Sequence, residues 1–153
     1  MSTPDLGTTA TVGADLDWVM SGLKKKVPGV LHALTATADG LHLASTPGLD
    51  PATQKLLSSI TSGLASLTVS AAATCGAERP VQTLVEIDRG FMIVASIADT
   101  AAVIVLTSRE VDLGLVGYEL GLLVQRIGRV LTPELRGTGQ LPRQTGPGGQ
   151  GPS

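Results

Sequence analysis

Between Lys55 and Glu78 the chain carries no charged residue; LLSSITSGLASLTVSAAATCGA fills the interval. The longer stretch that holds it, Asp50 to Gly76, begins as helices begin. Asp50 can accept hydrogen bonds from the free amides of a first turn. Pro51, at the first helical position, has its φ preset and no donor to leave unpaired. The stretch ends on Cys75-Gly76, and glycine is the usual residue to leave a helix. Leu57, Ile60, Leu64, Leu67 and Ala71 recur at steps of three and four, one apolar stripe of a long helix. The other faces hold Ser and Thr where a solvated helix would hold Lys and Glu. Interface cores are depleted of charge. The helix is therefore expected to be covered twice, by a sheet of its own chain and by another protein. The alternative is a Ser/Thr-rich helix buried inside a monomer. A membrane span is disfavoured, because Ser and Thr interrupt the ~20 apolar residues that a span needs.

The chain as a whole is also low in charge, 16% against a usual ~25%, which again suggests covered surface. At 153 residues it is long enough for one domain with a real core. A net charge of −2 gives no reason to expect nucleic acid. Trp18, Phe91 and Tyr118 are the only aromatics, too few for a stacking platform. Neither a basic n-region nor an apolar h-region opens the chain, so the expected location is the cytoplasm, with any membrane recruitment coming through partners.

Residues 1–14 are small, polar and aperiodic and read as a disordered arm. Asp15 then caps a helix through Val27, with Leu16, Val19, Met20, Leu23 and Val27 on one face. Lys24, Lys25 and Lys26 stand in its last turn, where the helix dipole favours cations. Pro28-Gly29 breaks it. Val30–Thr37 and Leu41–Ser45 form a hairpin through Asp39-Gly40, a pair suited to a two-residue type I′ turn. That register sets Thr37 opposite His42 and puts His32 and His42 on opposite faces, which argues against a two-histidine metal site. Val81–Ile87 and Phe91–Ile97 make a second hairpin through a three-residue turn, Asp88-Arg89-Gly90, with Gly where positive φ is needed, and Ala101–Thr107 follows a tight turn. FMIVASI and AAVIVLT are apolar on both parities, as strands covered on both faces are. Asp112 caps a last helix through Leu131, striped by Leu113, Val116, Leu120, Leu123, Ile127 and Val130. Gly114, Gly117, Gly121 and Gly128 suggest close approach to a neighbour, and Pro133 is expected to end the helix. From Gly137 the Gly/Pro/Gln-rich remainder reads as a disordered tail. The predicted order is α-β-β-α-β-β-β-α, with helices on both faces of a five-stranded antiparallel sheet.

No catalytic constellation emerges. There is no P-loop, no H-E-x-x-H, no G-x-S-x-G and no paired cysteine motif. Cys75, the single cysteine, lies at the wrong end of a helix dipole for thiolate activation and reads as structural. The carboxylates Glu78, Glu86, Asp88, Asp99, Glu110, Asp112 and Glu119 are dispersed over turns, caps and strand faces. No cofactor and no metal site is expected.

The chain resembles Roadblock/LC7-domain proteins, and more narrowly the bacterial form encoded in conservon operons beside a Ras-like small GTPase. The resemblance covers Leu16 to Arg136. It is carried by V-P-G-V at Val27–Val30, D-G-L at Asp39–Leu41, the Ser-rich ITSGLASLTVSAA, the E-x-x-x-G-x-x-x-V hairpin from Glu86 to Val94, and DLGLVGYELG from Asp112. Leu120-Gly121 departs from the usual Met-Ala. The resemblance implies a profilin-like α/β (α+β) sandwich over residues 15–136. It also implies a homodimer whose long helices lie side by side, and a non-enzymatic role in binding and modulating a Ras-like GTPase, with a sensor-kinase-like protein as a further partner. The dimer contacts would then come from Leu57, Ile60, Leu64, Leu67 and Ala71. The line Ser59, Ser62, Ser66 and Ser70 is a candidate partner surface, or else simply lets the two long helices pack closely. A profilin- or PAS-like small-molecule sensor is the alternative function, and the few aromatics and lack of convergent polar groups count against it.

Overall fold

The structure, a computed structural model, describes residues 3–145, with side chains described between Asp15 and Leu131. Three helices and five strands follow in order among these residues: α1 (Thr3–Lys26), β1 (Val30–Thr37), β2 (His42–Ser45), α2 (Pro51–Thr74), β3 (Thr83–Ile87), β4 (Gly90–Ile97), β5 (Ala101–Ser108) and α3 (Leu113–Thr145). The strands form one antiparallel sheet in the order β2-β1-β5-β4-β3.

Strand alternation sorts the core into two layers. Ala33, Ile93, Ala95, Ile97, Val103 and Val105 meet the buried stripes of α1 and α3. Leu34, Ala36, Val94 and Ile104 point the other way, toward Leu57, Leu64 and Ala65 of α2. The central strands β1, β4 and β5 are thus buried on both sides, as their doubly apolar sequences require. Leu16, Val19, Met20, Leu23 and Val27 are all buried, and so are Val116, Leu120, Leu123 and Ile127.

Four local features differ from the sequence reading. First, α1 begins at Thr3 and not at Asp15, so the expected arm is largely helical backbone. Pro4 falls in its first turn, where a missing amide costs little, and no other proline precedes Pro28. Second, α3 passes through Pro133 to Thr145. Proline removes its own donor from the ladder, but its fixed φ remains helical, so the chain continues at a cost of about 3 kcal/mol. The rest of the expected tail, 146–153, lies outside the described residues, as do residues 1 and 2.

Third, the first hairpin closes through three residues. The Thr37 amide donates to the Leu41 carbonyl at 2.8 Å, Gly40 alone takes a left-handed φ of +91°, and Asp39 does not. A type I′ turn needs positive φ at both central residues. Here the Thr37 hydroxyl instead donates to the Asp39 carboxylate and accepts from the Leu41 amide. The extra residue shifts the register between Thr35 and Ala36, so His42 pairs with Ala36 and not with Thr37. His42 therefore shares the α2 face with His32, which pairs with Leu106; a one-residue slip exchanges faces.

Fourth, the second hairpin has a two-residue turn, with Gly90 already inside β4 and paired to Ile87. Of the α3 glycines, Gly128 nears Ile97 and Gly117 nears Gln82, while Gly121 meets open space.

Leu16 and Leu131 are the first and last buried apolar side chains among the described residues. The ends 1–12 and 137–153 carry no periodic apolar pattern, so a chain trimmed to residues 13–136 is expected to melt within a few degrees of the full chain, read by circular dichroism. A large loss would show that an end of the chain docks on the domain.

Candidate interaction surface

The α2 helix is fixed at both ends by the residues that announced it. Asp50 Oδ1 accepts the Thr53 amide at 2.7 Å. At the far end the Ala77 amide donates to Ala72 and the Gly76 amide to Ala73, with Gly76 at φ +79°, a Schellman closure. Ser58 and Thr61 are fully buried against the sheet. Their hydroxyls donate back to the carbonyls of Gln54 and Leu57, both at 2.7 Å, so burying them leaves no donor unpaired.

The predicted stripe divides. Leu57 and Leu64 are partly buried and packed on the sheet of their own chain. Ile60, Leu67 and Ala71 face outward, with Leu67 68% exposed. Leu56, 62% exposed, was not on the predicted stripe, yet Leu56, Ile60, Gly63 and Leu67 step by four, three and four. The sequence carries both periodicities side by side. Ridges of large apolar side chains on a helix with no charge after Lys55 mark an interaction surface. The edge strand β3 leaves Ile87 exposed on the α2 face of the sheet and Leu84, opposite Ile93, exposed on the other face. Its hairpin is held by Arg109, which donates to the carbonyls of Ile87 and Asp88, pairs with Glu86 at 2.7 Å and stacks over Phe91.

The serine line also divides. Ser62, Ser66 and Ser70 line a groove of about 270 Å³ between α2 and the β4–β5 turn, whose wall holds Ser96, Ala98 and Asp99. Ser62 is already engaged, donating to the Ala38 carbonyl at 2.6 Å. Ser66 and Ser70 are exposed, and Ser59 stands outside the groove beside Gly40. The turn residues of the groove come from a distant part of the sequence, so no local pattern announces them.

Among the described residues no three His, Cys, Asp or Glu side chains gather as a metal site would need. His32 Nδ1 lies 3.1 Å from Thr46 Oγ1, and His42 Nε2 lies 3.1 Å from Ser45 Oγ. Partial burial, helped by Lys24, lowers the pKa of His32 below its usual value. A wider cleft by Trp18, His42 and Gln54 spends its one carboxylate, Asp17, on the edge amide of Ser45. Cys75 is exposed at the helix cap. Cys75→Ser is expected to leave stability and partner binding unchanged, checked by melting and pull-down.

An open antiparallel sheet with two helices on one face and, on the other, a single helix with no charge after Lys55 is an α/β module built around that helix. The chain belongs to the Roadblock/LC7 domain family, whose profile matches residues 16–107. A solved Roadblock/LC7 domain from Streptomyces avermitilis is 34% identical over 76% of this chain and 97% of its own, with a TM-score of 0.72. The same fold recurs at lower identity in gliding protein MglB of Thermus thermophilus (18% identical, 78% of this chain and 90% of that one, TM-score 0.69). It recurs in MglC of Myxococcus xanthus (10% identical, 73% and 95%, TM-score 0.52). No curated protein sequence matches the chain significantly.

Proposed function

We propose that this protein is a non-enzymatic, homodimeric regulator that binds a Ras-like small GTPase in a bacterial signalling system. Family membership supports a regulatory role, and a solved MglB structure described as having a tetrameric arrangement supports self-association. The observation that carries the reading is the outer face of α2: Leu56, Ile60 and Leu67 stand exposed on a helix with no charge after Lys55. Two copies of this ridge, with the neighbouring β3 edges, give a self-complementary surface that excludes water. The GTPase then engages what the dimer leaves open, the serine-lined groove.

The direct test is GTP turnover by a Ras-like GTPase of the same genome with and without this protein, alongside its oligomeric state by light scattering. A monomer with no effect on binding or turnover of any such GTPase would sink the proposal. Ser66→Arg fills the groove without touching the Ser62 bond to Ala38. It is expected to weaken GTPase capture about tenfold or more with the dimer intact, as a bulky charge in a partner contact does. Loss of the dimer instead would assign the serine line to the helix pair.

A further inference from the structure

The face of the molecule opposite α2 has a different chemistry. The α1 and α3 helices use one side for the core, and their outer sides form a single surface. Lys26 Nζ lies 3.9 Å from Glu119 Oε1, and Leu23 and Lys26 share a crevice with Glu119, Leu122 and Arg126, so the two helices run side by side. On α1, Trp18, Gly22 and Lys25 recur at steps of four and three, and on α3, Tyr118, Leu122, Gln125 and Arg129 do so at four, three and four. Each set is the outward line of its helix. Trp18 is 74% exposed and Tyr118 65% exposed, although the chain has one residue of each type. Lys25 and Arg129 are exposed beside them.

We propose that this α1–α3 face docks on an anionic membrane surface, Trp18, Tyr118 and Leu122 entering the headgroup layer while Lys25, Arg126 and Arg129 meet lipid phosphates. Three observations favour that occupant. Lys25, Lys26, Arg126 and Arg129 stand here against Asp15 and Glu119, and Glu119 is paired with Lys26. Among the described side chains the face is therefore net positive, on a chain of net charge −2, and polybasic surfaces are drawn to anionic lipid. The exposed apolar groups include Trp and Tyr, whose apolar bodies and polar tips suit the membrane–water boundary. The seam between the two helices is also shallow: its crevice holds only about 10 Å³, nothing lies within 4 Å of where a side chain on Gly22 would begin, and the cleft beside Trp18 opens toward the β2 edge, away from α3. A protein partner gains most from recesses that seat its anchor side chains; a lipid surface needs none. The proposal is independent of the α2 face and leaves it free.

Trp18 is the chain's single tryptophan, so its fluorescence reports on this face alone. The full chain is mixed with vesicles of phosphatidylcholine containing phosphatidylglycerol, or of phosphatidylcholine only. Expected with the anionic vesicles are a blue shift of Trp18 emission and co-sedimentation, both suppressed by high salt, and neither with the neutral ones. The double variant Lys25→Glu, Arg129→Glu is expected to lower vesicle affinity about tenfold or more, with its circular dichroism and oligomeric state unchanged. Absence of both signals would overturn the proposal. Sedimentation without a Trp18 shift, or undiminished in the double variant, would also overturn it by placing the lipid contact elsewhere. Capture of an acidic protein by this face with no vesicle binding would overturn it in favour of a protein partner.

Discussion

Leu67→Glu is expected to turn the dimer into a folded monomer, whereas Leu64→Glu, one helical turn away, is expected to damage the fold itself. Leu67 is largely exposed in the single chain, so a carboxylate there is solvated until a second copy covers it. In the dimer the same carboxylate is buried without a partner, at about 3–5 kcal/mol, and two-fold symmetry applies the cost twice. Each 1.4 kcal/mol is tenfold in affinity, so the dimer constant should weaken by about a thousandfold or more. Leu64 instead packs on Leu34, Val94 and Ile104 with its neighbours from α2. Glutamate at that position loses apolar burial worth about 1.5–3 kcal/mol and brings a charge against the sheet. Light scattering and thermal melting on both variants separate the outcomes. An unchanged dimer in Leu67→Glu would move the interface off α2, and a stable, folded Leu64→Glu would show that the helix is not seated as described.

Gly90→Ala is expected to be among the most destabilising single-methyl changes in the protein. A Cβ at Gly90 would lie 1.8 Å from the Thr107 carbonyl oxygen and 2.9 Å from its carbon, both backbone atoms in the centre of a sheet. Relief requires β4 and β5 to separate where Gly90 faces Ser108 and Phe91 faces Thr107. Overpacking of this kind costs about 3 kcal/mol or more, lowering the melting temperature by roughly 10 °C for a domain of this size. The same β-hairpin carries the edge strand β3, so loosening of β4 should also loosen that edge. A normal melting temperature for Gly90→Ala would mean that the strands are spaced more widely here than described.

Gly90 also shows how far a glycine can be read from sequence. Its place after Asp88-Arg89 suggested a turn residue needing positive φ. The chain turns in two residues instead, and the glycine is there to leave room for a neighbouring strand. Gly40 is the reverse case: its left-handed φ was legible, but the loop length was not, because the Thr37 side chain closes the turn one residue wider. That single residue decides which face His42 occupies.

On α2, the missing charge from Leu56 to Ala77 raised the expectation of a helix covered twice, and Asp50-Pro51 and Cys75-Gly76 set its ends. Two interleaved stripes were available, and helical spacing alone ranks neither. The choice falls to the sheet, whose Leu34, Val94 and Ile104 take up Leu57 and Leu64 and leave Leu56, Ile60 and Leu67 outside.

What the sequence determined by itself is what repeats along the chain. Runs apolar on both parities made β4 and β5 strands covered on both faces, stripes at three and four made the buried sides of α1 and α3, and the order of the elements followed. These signals are local, because burial of alternate residues is imposed by the geometry of each element alone. What only the tertiary structure decided is which residues from separate elements come to share a surface. The groove joins Ser66 to Asp99, and the basic aromatic face joins Trp18 to Tyr118 and Arg129 across two helices about a hundred residues apart. Such juxtapositions leave no period in the sequence, since they depend on how a sheet of fixed strand order brings distant helices side by side.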